Sequence, residues 1–413
     1  MALNIVWIAF FVIAFLVACI KFFFIPGNTE IFKILTDGIF DSAKTSVTDV
    51  AFPLAGTMIF FLGLMNIAEK AGAIRWLARI LNPVMKRLFP EVPENHPAMG
   101  EMVMNFSANM LGLDNAATPF GLKAMQSLQS INPDKNTASN SQIMFLVLHT
   151  SGLTIIPLSI ISYRVAGGSA DPTSIFIPFV VATVCATLAS VLIVSFKQKI
   201  KWDFVLVAWL GGMAAGIAGL LLLISSLEPV AKNLFSTVAG NLILLLIIVA
   251  IVTGGALRRV NVFEAFIEGG KEGFQVILKI LPYLVGLLVA IRVFRDSGAL
   301  GYLTDGIASL VSLTGINTGF VPALPVAIMR PFSGGGARGL MLDIFKNPLY
   351  GPDSFVGKTA SILQGSSDTT FYIVALYFGS VGIRNVRYAV WAGILADIIG
   401  VTSAIIIAYI FFR

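Results

Sequence analysis

The sequence predicts an all-α polytopic membrane protein with two inverted-topology repeats, each carrying a re-entrant hairpin and a broken helix. Three observations predict it. Of 413 residues, 57% are hydrophobic and 12% charged, about half the charge of a soluble domain. Several apolar runs reach the roughly 20 residues that a helix needs to cross hydrocarbon. Other segments of similar length carry Asn, Ser, Thr, Gly or Pro at their centres, where non-helical backbone is tolerated only inside protein or beside water.

Taken in order, simple spans are predicted at 3–25, 52–68, 174–196, 203–226, 234–256, 277–294 and 388–411. The stretches 97–130 and 318–347 predict hairpins, and 138–165 and 353–382 predict broken spans. Segments 30–50, 70–89 and 258–275 mix apolar residues at helical spacing with charges, which predicts interfacial helices. Trp76 and Trp202 suit the membrane–water boundary.

Lys and Arg favour cytoplasmic loops. Lys70, Arg75, Arg79, Lys86 and Arg87 fill one loop, Lys197, Lys199 and Lys201 a second, and Arg258 with Arg259 a third. All three loops fall on one side when the N-terminus starts inside. The expectation is a multi-pass protein of the bacterial cytoplasmic membrane. The net charge of +6 is dispersed in such short runs, so it fits anionic lipid and offers no face for nucleic acid. Cys19 and Cys185 lie in apolar runs, which argues against a disulfide or a metal site. The string "LVAC" (16–19) has the form of a lipoprotein cleavage box, but "MALNIVW" lacks a basic residue, so a first transmembrane helix is expected.

The chain also resembles itself. Residues 42–77 lie over 269–303 with Gly72 on Gly298, and "LHTSGLT" (148–154) lies over "LQGSSDT" (363–369), with Ser151 on Ser366 and Thr154 on Thr369. This divides the chain into repeats 1–202 and 203–413. The unmatched helix 203–226 supplies the odd crossing that inverts the second repeat. Secondary transporters are often built this way, with broken helices meeting at the midplane.

The residues then become recognisable. "LGLMNIAEKAG", "MNFSANMLGLDNAATPFGLKAM" and "ASNSQIMFLVLHTSGLT" resemble spore maturation protein A, while "RPFSGGGARGLMLD" and "GPDSFVGKTASILQGSSDTTFYIVALYFGSVGIRNVRYAV" resemble spore maturation protein B. The chain is similar to a fusion of the two, within the nucleoside-recognition gate group. That resemblance implies a fold like gate-domain transporters, similar to modules of concentrative nucleoside transporters and of ferrous iron transporter B. It implies no particular solute.

Three polar clusters are the candidate substrate site. In 104–121, Asn105, Asn109, Asn115 and Thr118 both donate and accept hydrogen bonds. Asn105 and Asn109 share one helical face, and "GLDN" breaks that helix. Asp114 is a candidate ion contact or a cap. In 330–339, Ser333 and Gly334, Gly335 and Gly336 allow close backbone approach, and the pattern of a phosphate loop is absent. Arg330 and Arg338 are anion contacts or struts to Asp343 or Asp368. The third cluster joins Ser151 and Thr154 to Ser366, Ser367, Asp368, Thr369 and Thr370, which serve a hydroxylated solute or the freed carbonyls of a helix break. His149 reads as a satisfied buried imidazole rather than a catalytic base, because the nearby Ser151 does not face it.

The expected function is secondary transport of a small polar solute through alternating access. The alternative is a non-transporting module that organises or regulates envelope or spore-maturation proteins. No enzymatic role, metal or cofactor is expected beyond a coupling ion, H+ or Na+. A homo-oligomer is expected from the gate resemblance.

Overall fold

A computed structural model describes residues 2–93, 95–313 and 315–413. The side chains of residues 2, 3, 114–116, 229 and 233 lie outside that description. Among the described residues seven helical segments are long and apolar enough to cross a membrane; four contain a run predicted as a simple span, and the other three match theirs to within one residue at each end. Among the described residues no strand forms; one isolated bridge pairs Thr137 with Asn385.

The first helix, α1, is Ala2–Phe24 and passes through Cys19 without interruption. Next, α2 (Ile31–Thr45) runs through a π-helical stretch, Ser46–Ala51, into α3 (Phe52–Lys70). Segment 30–50 is therefore not a separate interfacial helix. It begins a continuous helical segment of 40 residues, about 60 Å at 1.5 Å per residue, twice the hydrocarbon thickness of roughly 30 Å. The π stretch has a local cause. Thr45, Ser46 and Thr48 bond back to carbonyls three or four residues earlier, competing with the regular ladder. Gly72, at φ 86°, ends the run and starts α4 (Ala73–Leu88). Here Leu77, Leu81, Val84, Met85 and Leu88 are buried on one face and Trp76 is 61% exposed.

The first hairpin is α5 (Pro97–Met110) and α6 (Asp114–Ile131). The first broken span is α7 (Asn140–Thr150) and α8 (Leu158–Ala166). A capping box of Ser139 and Gln142 starts α7. Then come α9 (Phe176–Gln198), α10 (Phe204–Ser225), capped by Asp203, and α11 (Pro229–Leu257). The predicted interfacial segment 258–275 is again continuous with a span: α12 runs Val262–Asp296 without a break. Gly298, at φ 90°, turns it into α13 (Ala299–Ser312), as Gly72 does after α3. The second hairpin is α14 (Leu324–Met329) and α15 (Gly334–Lys346). The second broken span is α16 (Phe355–Gly365) and α17 (Thr370–Ser380), followed by α18 (Ala389–Phe412).

The chain forms two compact units. One holds residues 1–61, 160–172 and 270–364; the other holds 62–159, 173–269 and 365–413. Each draws on both sequence repeats, so compact units and repeats divide the chain differently. Each unit contains one hairpin, the first half of one broken span and the second half of the other.

Within the first unit, Arg164 near the end of α8 donates to Pro352 O and to Asp353, just before α16, at 2.7 Å each. Within the second unit, Ala138 before α7 donates to Asn385 O after α17 at 2.9 Å. There the Asp368 N–H, before α17, donates to Thr150 O at the end of α7 at 2.7 Å. In the second unit, where both ends are tied, the two half-helices therefore run antiparallel. The core of the second unit gathers Phe89, Met102, Met125, Phe145 and Tyr377; that of the first gathers Ala14, Ala18, Leu35 and Val293.

Candidate functional site

In the second unit, the breaks of both interrupted spans pack against the first hairpin. Gly112 (φ 72°) lies in the hairpin turn, and Ile155, in the α7–α8 break, donates to Met110 O at 2.8 Å. Gly152 (φ 66°) sits against the 366–369 break: an added Cβ would meet the Ser367 carbonyl carbon at 3.2 Å. Only glycine accepts both the left-handed backbone and that approach.

The break gathers hydrogen-bonding side chains. His149, on the last turn of α7, has Nδ1 at 3.0 Å from Asn105 Oδ1 and 2.9 Å from Asn109 Nδ2. Its Nε2 lies 3.4 Å from the Tyr377 hydroxyl and 3.8 Å from Asp368 Oδ2. A neutral imidazole serves one Asn at a time from Nδ1: protonated, it donates to Asn105; bare, it accepts from Asn109. Asn105 is buried and also donates to Ala117 O at 2.7 Å, which locks α5 to α6. Tyr377 is buried beneath Gly121, where any side chain would collide with its hydroxyl. His149 is thus the satisfied, buried imidazole the sequence predicted, and it is also the hub joining Asn105 and Asn109 to the second broken span.

The other predicted residues of this unit fall around that hub. Ser151 is held by Leu148 O at 2.6 Å and Thr187 at 2.9 Å. Thr154 Oγ1 donates to Gly152 O at 3.0 Å. Ser366, Ser367 and Thr369 are buried, and Asp368 caps its neighbour by accepting from Thr369 N–H at 2.7 Å. Thr370 donates to Asp397 at 2.7 Å. Thr118 is exposed. Asp114 and Asn115 start α6, and their side chains lie outside the described residues. Asn109 and His149 reach a cavity of about 50 Å³ that is otherwise apolar apart from Thr187, with Met85, Phe106, Leu153 and Trp209 among its walls.

The glycine cluster belongs to the first unit. Ser333 is the N-cap of α15 and accepts from Gly336 N–H at 3.0 Å, so Gly334–Gly336 form a helical first turn rather than a loop. A Cβ on Gly336 would meet Met329 at 2.9 Å, which gives this glycine a packing role. Arg330 lies in the hairpin turn, and Arg338 stacks on Tyr163 at 4.9 Å. The expected strut to Asp343 is made by a different residue, Arg295. Arg295 sits on the preceding long helix, one turn after Arg292, and neither figured in the sequence reading.

Three other polar residues escaped it. Asp397, 3% exposed on α18, is the Asp within a predicted simple span, and a lone acid in such a run was the signal available. Gln364 lies where the internal repeat sets it over His149. It donates to Gly334 O at 3.2 Å, while its Oε1 is buried without a hydrogen-bond partner among the described residues. Glu101 lies one helical turn before Asn105, and its buried Oε2 has no hydrogen-bond partner among the described residues.

Fold and site together define a class: a polytopic helical membrane protein whose interrupted spans and hairpins gather hydrogen-bonding groups at their breaks. The chain belongs to the Gate family, described as nucleoside recognition, which matches residues 51–167 and 277–384. Among curated proteins it is similar to spore maturation protein B of Bacillus subtilis (strain 168), 47% identical over 167 residues, 40% of this chain and 91% of that protein. It is also similar to spore maturation protein A of the same organism, 37% identical over 190 residues, 46% of this chain and 92% of that protein. Two relatives matched almost whole, each to less than half of the chain, fit a fusion of the two. No solved structure matches it.

Proposed function

We propose that the chain is a secondary transporter of a small polar solute, taken at the helix breaks. The observation that carries this reading is the polar cluster between a hairpin and two interrupted spans, in which Asn105, His149 and Tyr377 are buried and Asn109 and Asp368 are partly exposed. Groups of this kind are costly within a bilayer and concentrate on solute paths. Most are neutral and amphoteric in hydrogen bonding, which suits an uncharged solute bearing hydroxyls and amides. A nucleoside has that chemistry and is the first class to test, given the family description. Asp368 and Asp397 are the candidate groups for a coupling ion, H+ or Na+. The inverted repeats would supply alternating access. Nucleophilic catalysis by a serine–histidine pair is not part of this reading. Ser151 is engaged by Leu148 and Thr187 rather than by His149, which argues against that pair.

The second reading, a non-transporting module that organises envelope or spore-maturation proteins, is favoured by one observation. The cavity at Asn109 and His149 is about 50 Å³, well under the roughly 300–1,000 Å³ of ligand pockets. Flux of radiolabelled nucleosides and other small polar solutes into proteoliposomes decides between them. Uptake lost in Asn109→Ala supports transport. No uptake of any solute, with cellular function retained by Asn109→Ala, supports the module. The reading carries with it a cytoplasmic-membrane location, the basic loops inside, and assembly as a homo-oligomer.

A further inference from the structure

The geometry points to a headgroup site for an anionic phospholipid, formed by Arg75, Arg79 and Arg258 beside Trp76. The left-handed turn at Gly72 sets the start of α4 close to the end of α11. Between them lies a concavity of about 270 Å³ lined by Ala71, Gly72, Arg75, Trp76, Arg79 and Arg258. No carboxylate is in the lining. The nearby Lys70 is engaged by Glu268. Among the described residues no ion pair or side-chain hydrogen bond engages the three guanidinium groups. Three like charges converging from two distant parts of the chain repel one another unless an anion joins them. The planar fork of each guanidinium matches a phosphate's oxygens.

The surroundings select a lipid rather than a free anion. Trp76 is 61% exposed, and Ile80, one turn further on the same face of α4, is exposed too. Leu257, next to Arg258, is 85% exposed. Trp belongs at headgroup depth, and a helix with one buried face and a basic, aromatic edge lies in the interface plane. A phosphodiester would sit among the arginines while its acyl chains run along these apolar side chains. The assignment does not depend on transport.

The test uses the full chain in detergent, with thermal unfolding read on adding short-chain phosphatidylglycerol, short-chain phosphatidylcholine or inorganic phosphate. Phosphatidylglycerol should raise the unfolding midpoint and the other two should not. The triple variant R75Q/R79Q/R258Q should unfold like the parent without lipid and lose the phosphatidylglycerol shift. R258Q alone, at an exposed helix end, should weaken lipid affinity roughly fivefold and serves if the triple variant does not fold. K197Q/K199Q/K201Q should keep the full shift. An equal shift with phosphatidylcholine, a shift reproduced by inorganic phosphate, retention of the shift in the arginine variants, or its loss in the lysine variant would each overturn the assignment.

Discussion

The Asp368 backbone N–H donates to the Thr150 carbonyl at 2.7 Å, tying the break of one interrupted span to the break of the other. Interrupting a helix frees carbonyls that hydrocarbon cannot satisfy; here a backbone donor of one break satisfies a carbonyl of the other. Side chains satisfy other backbone groups of the junction: Ser151 donates to Leu148 O and Thr154 to Gly152 O, while Asp368 accepts from Thr369 N–H.

That junction makes Gly152 hard to replace. A non-glycine residue in the left-handed region costs about 1–2 kcal/mol, and a Cβ there also meets Ser367 at 3.2 Å. Gly27 shares the positive φ, with nothing within 4 Å. Denaturant unfolding should show G152A losing clearly more stability than G27A. Equal losses would mean that the two breaks do not pack as described.

Removing His149 should strand its partners. H149A leaves the Asn105 carbonyl oxygen and the Asn109 amide without the ring they face, at roughly 1–3 kcal/mol for each buried group left unsatisfied. N109A alone removes a partner that His149 can exchange for Asn105, so it should cost less. Comparing the two unfolding midpoints checks the order.

Arg164, fully buried, donates to Pro172 O, Pro352 O, Asp171 O, Ser169, Ser361 and Asp353. R164M should cost about 2–3 kcal/mol, less than for a wholly buried pair, because the Asp353 side chain is 37% exposed. The partner Asp353, in the loop before α16, gives a pH signature. Burial pushes its carboxyl up, but hydrogen bonds from Ser169 and Ala170 N–H and the Arg164 charge outweigh this and hold it below the usual range. A lowered native pKa contributes stability that is present above the ordinary value of about 4 and lost as pH falls through the native one. The parent should therefore lose stability on acidification below pH ~4, and D353N should show a shallower dependence in that window.

Asp397 gives a functional prediction. D397N keeps an oxygen to accept from Thr370, so it should fold. In proteoliposomes its solute uptake should no longer respond to an imposed pH or Na+ gradient. Uptake with unchanged coupling would remove Asp397 from the ion path.

Much of this was legible in the sequence. The simple spans stood out because length and hydropathy alone decide them, and the hairpins because Asn105–Thr118 and Arg330–Gly339 are too polar for lipid. The continuity of α2 with α3 was not legible. The sequence there turns polar at Lys44–Asp49, and only backbone geometry shows that a π stretch carries the helix through. Within the site, Asn105 and Asn109 were found by helical spacing. His149 was weighed by its chemistry beside Ser151, yet its role comes from a hairpin some 40 residues earlier in the chain, which spacing cannot reveal. Asp397 was hidden by the apolar run around it, and Arg295 by its place at the end of a long span.

Water access to the helix breaks is the most direct test of the central claim. With Cys19 and Cys185 replaced by Ala, a single cysteine in place of Asn109 is exposed to a membrane-impermeant maleimide in proteoliposomes, beside a cysteine in place of the exposed, apolar Leu246 of α11. The account predicts labelling at position 109, slowed by a transported solute, and none at 246. No labelling at 109 in folded protein, with labelling restored on denaturation, would contradict it.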